Sequence, residues 1–244
     1  MPRSSRMVWK RRELMPPPST VLSRMAAWRF SSVSAGGLLA ELDAPEASAG
    51  VVLRKKKSLE QVQICLGVPA PPITDDNRYA TLILNTVLGS GMSSRLFQTI
   101  REERGMAYSI YSDLSPYSDT GSLCVYAGTS AGKALEVVDL VMAEFRSLKE
   151  IPLGDEELTR AKDQLKGNIL MGLESSNSRM ANLARQEMYF HNFMTVEEVI
   201  ARIDAVDAAQ VQAMAQRLFD PDRIAVTLLG RLNGVKLGRS RLVC

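Results

Sequence analysis

The 244-residue chain contains one histidine, His191, and that scarcity removes several kinds of chemistry at once. A zincin helix and its inverted form each need two histidines, so neither can be built here. Ser-His-Asp or Cys-His catalysis would have to use this one residue, and no G-x-S-x-G elbow accompanies it. His191 follows Tyr189-Phe190 at the end of an apolar-periodic stretch, where an imidazole suits a helix C-terminus. Cysteine is also sparse: Cys65, Cys124 and Cys244 lie far apart and include no C-x-x-C pair. Neither a cysteine-based metal site nor a disulfide framework fits that count, and a reducing compartment is favoured. Cys65 and Cys124 sit in apolar stretches and read as small buried hydrophobes. No run of 18 apolar residues exists, so no membrane span is expected. Gly89-Ser90-Gly91 lacks the G-K-[ST] ending of a phosphate loop and reads as a break between helices.

What is present is an ordinary globular composition, 45% hydrophobic and 23% charged. The formal net charge of +3 is unevenly spread, because residues 1–57 hold eleven Lys or Arg against four acids. A nucleic-acid surface would need a basic face interleaved with aromatics, and this basic segment is Pro- and Ser-containing and weakly patterned. No nucleic-acid partner is expected. Pro16-Pro17-Pro18 blocks a helix, and residues 1–57 read as a poorly ordered basic segment and linker ending in Arg54-Lys55-Lys56-Lys57. Its Arg- and Ser-rich front resembles a transit peptide in composition. A mis-assigned start or an upstream remnant is the preferred reading of the segment.

From residue 58 the pattern becomes regular. Val62, Ile64 and Leu66 alternate with Gln61, Gln63 and Cys65 as in a half-buried strand, which Pro69, Pro71 and Pro72 should stop. Asp75 or Asp76 can cap a helix with Tyr79, Leu82, Ile83 and Val87 inward, ended by Gly89. Ser93 opens another, with Leu96, Phe97 and Ile100 inward and Gly105 past its end. Strands are expected over 108–114, 121–127 and 223–229, with a hairpin turn at Pro116–Thr120. Helices fill the stretch after Ser130, two of them opened by the capping boxes Thr195–Glu198 and Asp207–Gln210. The expectation is an α+β fold, a mainly antiparallel sheet with helices on one face, forming one domain over 58–230 with a tail at 231–244.

The stretch LGSGMSSRLFQTIREERGMAYSIYS, residues 88–112, carries more than a helix–turn–strand connection needs. With LEQVQICLG at 59–67, DDNRYATLILNTVLG at 75–89, DTGSLCVYAGT at 119–129, EELTRAKDQLKGNILMGLESS at 156–176 and VDAAQVQAMAQRLF at 206–219, it resembles the M16, or pitrilysin-like, zinc metallopeptidases. The likeness covers about residues 50–230, all in family order, and is to the second, C-terminal, non-zinc-binding domain.

The resemblance implies half of a processing-type metalloendopeptidase. In that family one domain carries H-x-x-E-H and binds zinc, and the second holds the peptide opposite the metal. The family's Arg and Tyr, seven residues apart, match Arg101 and Tyr108. Both would face one cavity, with forked guanidinium donors for peptide carbonyls and one phenol donor for developing negative charge. The chain itself would hold no metal and no other cofactor, and no activity is expected of it alone. Its partners would be a zinc-bearing domain or subunit and a peptide substrate. The short turn at Gly89–Gly91, in place of the long glycine-rich insertion of mitochondrial α-type subunits, points to a bacterial-type cytoplasmic protein, with a mitochondrial one as the other option. An inactive scaffold like the core proteins of the respiratory bc1 complex is the alternative to a peptidase half.

Overall fold

The computed structural model describes residues 45–232 and 234–244, and the expectations for residues 1–44 lie outside these. Five strands form one sheet: β1 (Gly50–Lys55), β2 (Val62–Ala70), β3 (Ala107–Pro116), β4 (Gly121–Thr129) and β5 (Ala225–Gly230). Their order across the sheet is β1-β5-β2-β4-β3. Every pairing is antiparallel except β1 on β5. The helices are α1 (Arg78–Gly89), a π-helical segment (Phe97–Glu103), α2 (Ala134–Glu150), α3 (Asp155–Gly172), α4 (Ser176–Phe190), α5 (Val196–Asp204) and α6 (Ala208–Leu218). This is the expected α+β arrangement.

Alternation along β2 decides which face is core. Val62, Ile64, Leu66 and Val68 are buried, and Gln61 and Gln63 are not part of that face. Under the buried face lie Ile83, Leu84 and Leu88 of α1, Val138, Val141 and Phe145 of α2, and Val211, Met214 and Leu218 of α6. Phe145 stacks on Phe219 with centroids 3.9 Å apart, joining α2 to the end of α6. Both capping boxes form in full. Thr195 and Glu198 exchange their bonds at 3.2 and 2.8 Å, and Asp207 and Gln210 theirs at 2.7 and 3.0 Å.

The structure departs from expectation at four places. Residues 50–55, assigned to the linker, form β1, because β5 offers a free edge on which Val51 also reaches the core. The tail is part of the body, since Leu232, Leu237 and Leu242 are all buried in the same cluster. β2 runs through Pro69 to Ala70. Its pairing with β5 stops at Gly67, so beyond it β2 is an edge on that side, where a missing N–H is tolerated. α1 ends at Gly89 as expected, but not through a left-handed turn. The glycine lies within the helix, and a Cβ there would sit 2.5 Å from the Ser112 backbone nitrogen, so its smallness lets β3 close onto α1.

Candidate functional site

The Gly-Ser-Gly break after α1 is a tied loop. Gln164 of α3 donates from Nε2 to the Ser90 carbonyl at 2.5 Å and accepts from the Ser93 hydroxyl at 3.2 Å. Arg95 then grips Glu157 of α3 through two 2.7 Å bonds, from Nε and from Nη2. These ties fix where the next segment starts. Leu96 and Ile100 turn into the core, and the chain winds as a π-helix from Phe97 to Glu103. It stops at Gly105, whose φ of 56° is the left-handed conformation that glycine adopts freely. The Met106 N–H then reaches back to the Ile100 carbonyl at 2.9 Å, and Lys133 Nζ donates to the Gly105 carbonyl at 3.0 Å.

β3 starts immediately, and its first pairs carry an extra residue. Ala107 pairs with Thr129 and Ser109 with Gly128, so Tyr108 is a β-bulge with no partner across the ladder. The partner position suits this, because a Cβ on Gly128 would stand 3.0 Å from the Ser109 hydroxyl and 3.1 Å from Gln61 Oε1. The bulge turns the Tyr108 side chain out to 77% exposure. It borders a cleft of about 410 Å³ whose polar lining comes from Glu60, Gln61, Thr129, Ser130 and Lys133.

Arg101 lies elsewhere. Its guanidinium sits 4.7 Å over the Phe97 ring, and Nε is 3.7 Å from Glu102. The arginine is exposed on the π-helical segment and is not among the residues that line the cleft. The structure therefore puts Tyr108 on the cleft and leaves Arg101 packed on its own helix. The cleft residues that sequence reasoning passed over, Glu60, Gln61, Ser130 and Lys133, come from the β1–β2 and β4–α2 connections. No motif marks them, since only the pairing of β2 with β4 and of β4 with β3 brings them beside Tyr108.

The remaining reactive groups do not line the cleft. His191 is exposed at the end of α4 and takes a left-handed φ of 47° there. Cys65 and Cys124 are buried and unoxidised, with the Cys65 thiol pushed up by its hydrogen bond to Cys124 and by burial. Burial likewise raises Tyr126, which stacks on Tyr111 with centroids 5.2 Å apart. Among the described residues no group of three or more His, Cys, Asp or Glu is placed to hold a metal ion. No helix among them is long and apolar enough to cross a membrane.

Residues 24–165 match the family model described as "Peptidase M16 inactive domain", a match that begins ahead of the likeness read from the sequence alone. The chain is 36% identical over 193 residues to the uncharacterized zinc protease YmxG of Bacillus subtilis, covering 79% of this chain and 47% of that one. It is 39% identical over 175 residues to an uncharacterized zinc protease of Mycobacterium leprae, covering 72% and 39%. The chain thus spans less than half the length of these curated relatives. Among solved structures, a peptidase M16 inactive domain from Pseudomonas fluorescens superposes with a TM-score of 0.71 at 23% identity, over 80% of this chain and 47% of the other. A chain of Complex III2 from Candida albicans also gives 0.71, at 19% identity, over 80% and 50%. At those identities the likeness is one of fold.

Proposed function

The chain belongs to the peptidase M16 family through that family's inactive domain, and from this premise we propose that it is the substrate-binding half of a zinc metalloendopeptidase, holding peptide opposite a zinc site supplied by another domain or subunit. The observation that carries this is the bulge at Tyr108. A phenol projected by a backbone irregularity from a sheet edge beside a polar cleft is a donor that a bound peptide can reach. With an extended peptide across the cleft, the hydroxyl would donate to the carbonyl oxygen that gains negative charge as the bond is attacked. We place the zinc in the other domain or subunit, a reading supported by the match to the family's inactive domain and by the chain's single histidine. The two curated relatives named above are bacterial, which favours the bacterial-type reading, with the cytoplasm as the compartment we propose.

The second reading, an inactive scaffold, draws support from Arg101. A working pair would have both donors aimed at one peptide, whereas Arg101 is engaged with Phe97 and Glu102. Reconstitution separates the two. The purified chain is mixed with an M16 half bearing H-x-x-E-H, and hydrolysis of an unstructured peptide is followed. Cleavage that needs both halves supports the peptidase reading. A stable complex that cleaves nothing, or a zinc-bearing half equally active alone, supports the scaffold.

A further inference from the structure

The period of β3 breaks at one place. Ile110 and Ser112 are buried, whereas Ser109, Tyr111 and Asp113 are exposed, so the even-numbered residues face the core. Continued back without interruption, that alternation would turn Tyr108 inward opposite Thr129 and turn Ala107 outward. The structure has the reverse, with Ala107 buried at 6% exposure and Tyr108 outside. The two faces open to this phenol differ by a one-residue slip of the chain ahead of Ser109. Which face it takes depends on what holds residues 105–107.

Two ties hold them, one from the last residue of β4 and one from the connection that follows it. The Thr129 side chain is 3% exposed, and its hydroxyl donates to the Met106 carbonyl at 2.5 Å. That bond sets the next residue, Ala107, opposite Thr129 in the ladder. Lys133, at the N-cap position of α2, donates to the Gly105 carbonyl at 3.0 Å. Two successive carbonyls are gripped just ahead of the bulge, so the strand absorbs its extra residue at Tyr108. Threonine suits the inner tie, because its branched Cβ restricts χ1 and with it the direction of the hydroxyl. The tie from Lys133 is charge-assisted but exposed to water, which makes it the weaker of the two. We propose that Thr129 and Lys133 are positioning residues, which keep the Tyr108 phenol on the cleft side of β3 by pinning the Met106 and Gly105 carbonyls. In this role both act through Tyr108 and not on the reacting atoms.

The consequence for catalysis rests on the peptidase reading, whereas the consequence for the exposure of Tyr108 does not, so the two can fail separately. In the full chain alone, nitration by tetranitromethane followed by peptide mapping reports how accessible Tyr108 is. Tyr117, 57% exposed in the turn at the far end of β3, serves as internal reference. Thr129→Val keeps the shape and removes the donor, and Lys133→Met keeps the stem and removes the charge. Both should lower nitration of Tyr108 relative to Tyr117, several-fold for the valine variant and less for the methionine one, with unchanged circular dichroism. Thr129→Ser, which keeps the donor, should restore it. If the valine variant does not fold, Lys133→Met decides, because an exposed side chain can be replaced without threatening the core. An unchanged nitration ratio in the folded variants overturns the proposal. In a reconstituted pair that cleaves, Thr129→Val should lower kcat by roughly tenfold or more with little change in KM, the scale on which small displacements of an aimed group act. In a Tyr108→Phe background it should lower kcat no further. Losses that add in the double variant overturn the positioning role. A pair that cleaves nothing counts against the peptidase reading, and the nitration ratio still decides whether these two residues hold Tyr108 out.

Discussion

At Tyr108 a single inserted residue sets both where a side chain points and how freely it can be tested. The side chain is exposed and carries no packing, so Tyr108→Phe should leave folding and pairing intact. In the reconstituted enzyme it should lower kcat by about 10²–10³-fold, the scale of other lost oxyanion donors. Arg101→Ala should raise KM if the arginine leaves Phe97 to hold a bound peptide, and Arg104→Ala, at the segment's end, should leave steady-state kinetics unchanged. Wild-type kinetics in all three would make residues 101–108 a connection and not a site. The sequence located Arg101 and Tyr108 through the REERGMAY stretch, and it placed Gly105 at the helix end. It could not show the bulge or the turn toward Phe97. The first depends on Gly128 across the ladder, and the second on a π-helical phase that the apolar spacing does not distinguish from an ordinary helix.

Elements in this molecule are joined by a few specific ties, and two can be tested separately. The Arg95–Glu157 fork fastens the start of the π-helical segment to α3, with both side chains less than a third exposed. The hydrogen bonds from Arg95 hold the Glu157 carboxyl below its ordinary range. A carboxylate lowered in the folded state stabilises the fold above its unfolded pKa of about 4.3 and loses that contribution as pH falls. Glu144 nearby is raised by burial and acts in the opposite sense. Melting temperatures should therefore fall more steeply from about pH 5 to pH 3 in the wild type than in Glu157→Gln. Superposable curves would show that the fork does not couple to stability. The second tie is β1. Comparing a chain that starts at residue 45 with one that starts at residue 57 isolates it, and the shorter should be less stable by about 2–5 kcal/mol, at roughly 0.5–1.5 for each ladder bond lost. Equal denaturant midpoints would make β1 an ornament. Composition concealed this strand, because its Arg and Lys end reads as linker and its partner lies at the far end of the domain.

For the whole molecule, period and punctuation were enough to reach the α+β class, most helices and four of five strands. Missed were features set by contacts distant in sequence: β1 on β5, the leucines of residues 232–242 under the core, and the cleft beside Tyr108. The purified chain should contain no stoichiometric zinc and cleave no peptide, since its single histidine stands exposed at a helix end. Elemental analysis finding one tightly held zinc per chain would contradict that. The parallel pairing of β1 with β5 has a further consequence, in time and not in space. On a ribosome β1 emerges before the other four described strands, yet Gly50 must wait for Ala225 to find its register. The contiguous hairpin of β3 and β4, with β2 beside it, can assemble early, and the sheet closes only when the last strand slides between β1 and β2. Until then the nascent chain exposes the edges of β1 and β2, the interval in which a chaperone, or a neighbouring nascent chain, has the strongest claim on it.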